Sequence, residues 1–334
     1  MKEVSKNSNK KDLNLSNSSQ EVNIVNQIQE KINKHIPRVN KEIDLILSFN
    51  KEDDDFNQHL IEVMRYAVLS GGRRYRSFFL LLLGELYNIN KKDLFTLGAV
   101  IEMIHAHLIM QDDLPSMDND DYRNEKLTCH KKYGENETLL ATNALLTTSF
   151  EVLSDEKYLT SIPSNIRSKI IKIISKYSGK NGIIGGQYMS IAFKKQEPSE
   201  HEITRFRKLK SSSLFIACAE IAAGIQSLDA VSKRNLVNIA NLIGILTTLY
   251  HDITKWQTNI TTQQCSQIQD RILEAKLLTE QNIQLLNTQH KKTNLESFIK
   301  FCLYKIEEIS NKAKINTEQK DQKPLKKLSQ IIIN

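Results

Sequence analysis

Glycine and proline are scarce in this chain, 11 and 5 of 334 residues, against average usage of roughly 7% and 5%. With so few helix breakers, long helices are expected. No Val/Ile/Thr run shows the alternation of strands joined by hairpin turns. The four cysteines, Cys129, Cys218, Cys265 and Cys302, are scattered without metal-ligand spacing, which argues against a zinc module and for a reducing, cytoplasmic setting. Long apolar runs are missing too. The longest, Phe78 to Leu83, falls far short of the roughly 18 residues of a membrane helix, so no transmembrane segment is expected. The first 20 residues hold no arginine and almost no large apolar residue. They fit neither a signal peptide nor an organelle transit peptide, and residues 1–20 are expected to be disordered.

Apolar residues recur at helical spacing in several stretches, for example Leu60, Val63, Met64 and Ala67, or Ile216, Ala219, Ile221 and Ala223. No Gly/Ser/Pro linker interrupts residues 21–311, which read as a single all-α domain. Residues 312–334 form a Lys-rich tail ending in Ile331-Ile332-Ile333-Asn334, which either docks back or stays loose. The formal net charge is +7. Nucleic-acid binding would account for that, but there is no zinc-finger spacing, no RNA-binding aromatic motif and no dominant basic block, so no nucleic-acid partner is expected.

Chemistry concentrates after the apolar run Ala99 to Met110. There the chain reads Asp112-Asp113-Leu114-Pro115-Ser116-Met117-Asp118-Asn119-Asp120-Asp121, five carboxylates in ten residues. Such a cluster needs cations, and oxygen ligands suit Mg²⁺, which keeps positions open for substrate phosphates. The bland alternative is a charged, solvated helix end. Basic residues flank the cluster. Upstream lies Gly71-Gly72-Arg73-Arg74-Tyr75-Arg76; downstream come Arg123, Lys126, His130, Lys131 and Lys132. Guanidinium forks match phosphate oxygens, so metal and arginine together point to chemistry on a diphosphate.

These segments resemble the trans-isoprenyl diphosphate synthases, the polyprenyl synthetase family. Gly71 to Arg76 is similar to its GGKRxRP motif, and the stretch from Ile101 through Asp121 to its first aspartate-rich motif, DDxxxxD, in the version with two extra residues. The likeness continues through Tyr122 to Glu135, Asn143 to Thr147, Gly185-Gly186-Gln187 and Lys210 to Phe215. It is dense over residues 60–155 and faint beyond about 256. The resemblance implies an all-α bundle of long helices around a central cavity, Mg²⁺, and condensation of isopentenyl diphosphate with an allylic diphosphate. It implies that Asp112 and Asp118 hold the metal with Asp113 supporting them. Arg73, Arg76 and His105 would contact isopentenyl diphosphate; Arg123 and Lys210 would contact the allylic diphosphate, and Gln187 would line the substrate site. Without the family, His105 reads as a packed core histidine, Arg74 as a surface arginine, and Lys208 and Lys210 are not separable.

The departures from the family pattern are specific. The second arginine after the first acidic motif is Asn124, and the aspartate of GGQxxD is Ser190. The second motif, FQxxDDxxD in the family, corresponds here to Thr247 through Lys255, with His251 and Lys255 where acids would share a helix face at i and i+4. The local formal charge changes from −3 to about 0 with His251 neutral and Asp252 retained. The basic residue usual further on is missing from Thr261 to Ser266. Either metals held by Asp112 and Asp118 suffice, with Lys255 supplying a point cation, or the chain is a catalytically impaired homologue that binds prenyl diphosphate or serves as a regulatory subunit of an active synthase. A homodimer is expected in the first case and a heteromer in the second. Terpene cyclases share the fold, but their second metal motif does not fit His251 to Asn259. Residues four and five before the first aspartate, Leu108 and His107, floor the family's product cavity. Neither is small, so the expected product is C15, with C20 as the longer alternative.

Overall fold

The computed structural model describes residues 4–49, 54–193, 195–256, 262–289 and 294–312. Helices dominate, as the scarcity of breakers implies. The chain clusters into two compact units, Gln29–Asn241 and, separately, Met1–Ile28 with Leu242–Asn334. Helix α1 (Val4–Ile46) begins inside the polar segment 1–20 and passes from one unit to the other.

The larger unit is built on α4 (Lys91–Asp113). Asn90 caps its start, its side chain accepting from the Lys92 and Asp93 backbone N–H groups at 2.9 and 3.4 Å. Such a cap contributes about 1 kcal/mol. From Leu94 to Leu108 the helix buries nearly every residue, so it is a core element contacted on several sides. By length and composition α4 and the stretch Ala230–Thr254 are apolar enough to cross a membrane, but 78% of the α4 window is buried inside the protein. Burial of Asp93 and Glu102 on α4 further marks it as a protein-core helix.

Around α4 pack α2 (Asp55–Leu69), α3 (Tyr75–Leu86) and α6 (Glu135–Ser154), while α10 (Ser213–Ile225) packs against α3 and α7 (Ser164–Ser178). Phe78, Phe79, Leu80, Leu83, Leu97, Ile101 and Phe215 are almost fully buried there. Each such side chain contributes about 1.5–3 kcal/mol by leaving water. A second cluster joins Val39 and Ile43 of α1, Val63 and Val68 of α2, Met103 of α4 and Leu145 of α6.

Between α4 and the short α5 (Cys129–Tyr133) runs a two-stranded hairpin, β1 (Tyr122–Arg123) and β2 (Lys126–Leu127), in the register Tyr122↔Leu127 and Arg123↔Lys126. No strand alternation announced it because each strand is two residues long. Its turn, Asn124-Glu125, has φ 49° and 64°, the left-handed pair that a two-residue hairpin requires. The remaining elements of the unit are α8 (Ile183–Ala192), α9 (Glu200–Arg207), a π-helical turn at Lys208–Ser212, and the start of α11 (Ala230–Trp256). In the smaller unit α11 continues, followed by α12 (Thr262–Gln289) and α13 (Asn294–Lys312), which pack on each other around Phe298 and Phe301.

Candidate active site

Proline positions the acidic cluster. Pro115 forces Leu114 into an extended conformation (φ −60°, ψ 151°) and stops α4 after Asp113. Asp112 and Asp113 therefore sit on the last turn of a helix, where the macrodipole is negative and disfavours carboxylates. The chain then folds back. The Asp118 N–H donates to the Asp112 carbonyl at 2.9 Å, and the Asn119 N–H to the Leu114 carbonyl at 3.1 Å. This loop brings Asp118 near enough to repel Asp112.

The cations needed by these carboxylates come from two places. Arg123, on the hairpin, reaches back to Asp113: its Nε donates to both carboxylate oxygens at 2.8 and 3.0 Å, and its Nη2 to Oδ1 at 2.5 Å. The same Nη2 also donates to Asp120 at 3.1 Å. Asp113 is thus occupied by a guanidinium. Lys210, in the π turn, places its Nζ 3.9 Å from Asp112 Oδ2. Lys208 is exposed and Lys210 half-buried, which separates two lysines that the sequence left equivalent. Burial first, opposed by Lys210 and reinforced by Asp118, holds the Asp112 carboxyl above its usual range. Burial likewise raises Asp113 against the pull of Arg123.

The glycine-rich segment has a different geometry. Gly71 and Gly72 take φ of 121° and 107°, conformations that glycine alone adopts without strain. Arg73 is exposed, with its guanidinium 5.3 Å from the Tyr75 ring centre. Arg74 is not a surface residue as its sequence context suggested. At φ 51° it turns inward, where Nε donates to Asn40 at 2.9 Å, Nη2 donates to the Val68 carbonyl, and Nη1 lies 3.6 Å from Glu102. Glu102 also accepts from the Ser77 N–H at 3.0 Å. The one signal of Glu102 in the sequence is an acid inside an otherwise apolar stretch of helix. Arg76 is half-buried over the Phe215 ring, 5.3 Å from its centre, and its Nε has no hydrogen-bond partner. Burial lowers the Arg76 guanidinium below its ordinary value.

His105 is half-buried on α4, seven residues and about 10 Å of helix before Asp112. Gln187 and Ser190 are half-buried on α8. His107 is buried between α4 and α6, its Nδ1 donating to the Thr142 carbonyl at 2.9 Å while Thr142 Oγ1 donates to the His107 carbonyl at 2.8 Å. Burial lowers its ring below the usual histidine value, so it is neutral at pH 7. Leu108 is buried beside it in the sequence.

The second motif lies in the smaller unit, on α11. Its one acid, Asp252, accepts from Arg271 Nη1 of α12 at 2.8 Å, and His251 Nδ1 is 4.0 Å from Asp252 Oδ1. Arg271 was not foreseen, being 19 residues away in sequence. The Lys255 side chain, Thr261 and the side chains through Ser266 lie outside the described residues.

Among the described residues no group of three or more His, Cys, Asp or Glu side chains forms a ready metal cage. Mg²⁺ does not need one, since it takes one or two carboxylates and completes its shell with water and substrate phosphates. Asp112 and Asp118, mutually repelling at the end of a helix, fit that mode. Asp252, closed by Arg271, does not.

A family model for polyprenyl synthetase matches residues 57–300. The chain belongs to the polyprenyl synthetase family. It is 30% identical over 195 residues to the farnesyl diphosphate synthase of Buchnera aphidicola subsp. Acyrthosiphon pisum, covering 58% of this chain and 69% of that protein. It is 31% identical over 194 residues to the farnesyl diphosphate synthase of Micrococcus luteus, covering 58% and 65%. Among solved structures it is similar to an FPP/GFPP synthase from Zymomonas mobilis, with a TM-score of 0.75 and 26% identity over 84% of this chain and 99% of that one. The fold is therefore the all-α bundle of isoprenyl synthases. The alignments to those two curated relatives span about two thirds of their length.

Proposed function

We propose that this polyprenyl synthetase is a short-chain trans-prenyltransferase, condensing isopentenyl diphosphate with an allylic diphosphate to give a C15, or alternatively C20, prenyl diphosphate. The observation that carries the reading is the end of α4, where Asp112 stands beside Lys210 and is repelled by Asp118 while Arg123 is fixed by Asp113. The reaction breaks an allylic C–O bond, and negative charge grows on the departing pyrophosphate. Oriented cations in a partly dry site stabilise such charge far better than water does. Lys210 Nζ is a point cation on this wall, and the Asp113 and Asp120 carboxylates orient the Arg123 fork, leaving Nη1 hydrogens for phosphate oxygens. Mg²⁺ held by Asp112 and Asp118 would supply Lewis-acid stabilisation of the diphosphate. Arg73, Arg76 and His105 bind the homoallylic diphosphate, and the buried Nε of Arg76 is a donor still waiting for an acceptor. His107 and Leu108 floor the product cavity. The enzyme works as a cytoplasmic homodimer.

A second reading has its own observation. The one acid of the second motif, Asp252, already pairs with Arg271 through Oδ2. On that reading the chain binds prenyl diphosphate as a subunit of an active synthase. The experiment is incubation of the purified protein with isopentenyl diphosphate and dimethylallyl, geranyl or farnesyl diphosphate, with and without Mg²⁺. A Mg²⁺-dependent C15 or C20 product that vanishes in Asp112→Ala supports the first reading. Bound diphosphate without any product overturns it in favour of the second.

A further inference from the structure

Lys210 sits in a turn whose shape needs explaining. Residues Lys208–Ser212 form a π-helical turn between α9 and α10. The extra residue of a π turn offsets everything after it by about 100° of helix rotation, and such insertions survive only where packing holds them. Two contacts hold this one. On one side α8 lies against it at Gly186. A Cβ on Gly186 would stand 2.8 Å from the Lys210 backbone nitrogen, 3.0 Å from Leu209 Cβ and 3.1 Å from the Leu209 carbonyl carbon. Optimal heavy-atom separations are about 3.5–4.0 Å, so any side chain there drives the turn and α8 apart. At its end the fully buried Ser212 donates its Oγ hydrogen to the Asn241 carbonyl of α11 at 3.1 Å.

We propose that Gly186 is a positioning residue for Lys210: its missing side chain seats α8 on the backbone of the π turn and so fixes Lys210 Nζ beside Asp112. Ser212 anchors the same turn to α11. The collision falls on the lysine's own backbone nitrogen, not on a distant side-chain tip that could swing away. Gly224 on α10 provides a contrast, because a Cβ there meets nothing within 4 Å.

The inference deepens the proposed diphosphate chemistry and rests on that reading for its catalytic meaning. It is tested by calorimetric binding of inorganic pyrophosphate with Mg²⁺ to the full chain and to Gly186→Ala, Lys210→Met and the double variant, with Gly224→Ala as control. Gly186→Ala is expected to weaken binding about tenfold, Gly224→Ala not at all, and the double variant to bind no worse than Lys210→Met. Steady-state kinetics add a split: KM for the allylic diphosphate rises in Gly186→Ala while KM for isopentenyl diphosphate holds. An equal loss from Gly186→Ala with and without Lys210 overturns the proposal, as does a folded Gly186→Ala with unaltered affinity. If circular dichroism shows Gly186→Ala unfolded, Ser212→Ala decides, with a roughly threefold, Lys210-dependent loss expected and no loss contradicting it. Pyrophosphate binding with this pattern but no condensation would sink the proposed activity and leave the positioning role standing. No pyrophosphate binding by the unaltered protein would sink both.

Discussion

Asp112, at the end of α4, keeps its cation 3.9 Å away, whereas Asp252, near the end of α11, is closed by Arg271 at 2.8 Å. At the first position a proline stop and a folded-back loop leave a carboxyl raised by burial and by a neighbouring acid, with its cation at a distance. At the second, His251 and Arg271 surround the remaining acid, and it serves to join two helices. A carboxylate left with an unmet need for positive charge suits a ligand, whereas one already paired with a guanidinium suits a structural tie. On the proposed reading the first motif keeps the former character and the second takes the latter.

Removing Lys210 gives the largest expected effect. Lys210→Met should lower kcat by about 10²–10³, the cost of deleting one oriented stabilising group, as read by conversion of labelled isopentenyl diphosphate. A loss below threefold would make the 3.9 Å approach incidental and bring the two ends closer in character. Next comes Arg123→Ala, which strands the buried Asp113 carboxylate. A loss of roughly 3 kcal/mol is expected in urea unfolding, with activity falling as well. The matching change in the smaller unit, Arg271→Ala, strands the less deeply buried Asp252 and should cost about 1 kcal/mol.

Acid titration sharpens the contrast further. Burial above all, with Asp118 adding to it, raises Asp112 in the folded protein over its ordinary value of 3.8. A carboxyl raised on folding binds its proton more tightly in the folded state, so its stabilising contribution is present below 3.8 and is lost as pH rises through the raised value. Asp112→Asn should therefore show a higher Tm than the unaltered protein at pH 7, a gap that closes as pH falls towards 3.8. A lower Tm at pH 7 would contradict the unmet-charge account. This is the expected trade of stability for function. The smallest effect is on product length: Leu108→Ala should shift the product from C15 towards C20 by chromatography while leaving the rate within a few fold.

Much of this was legible in the chain. The Gly71-Gly72 turn, the seven-residue interval from His105 to Asp112 and the proline after Leu114 are local, and local sequence dictates local backbone. The loss of acids at His251 and Lys255 was equally plain. Partners made by folding were not legible. Arg74 finds Glu102 from 28 positions away, Arg271 finds Asp252 from 19, and no spacing rule predicts either pair. The choice of Lys210 over Lys208 depends on a π turn, which is set by how closely α8 can approach and not by the lysines themselves. The hairpin is not legible because its strands are two residues long, and Thr128, whose N–H and Oγ1 donate to the Asp121 and Asp120 carbonyls, ties it back from outside them.

A chemical carboxylate at the end of α4 and a structural one on α11 respond differently to the same substitution. The most direct measurement is Mg²⁺-dependent condensation by Asp112→Asn and Asp252→Asn side by side, at equal folded concentration. Asp112→Asn is expected to lose about 10²-fold or more while Asp252→Asn stays within a few fold of the unaltered protein. Equal losses in the two variants would contradict it.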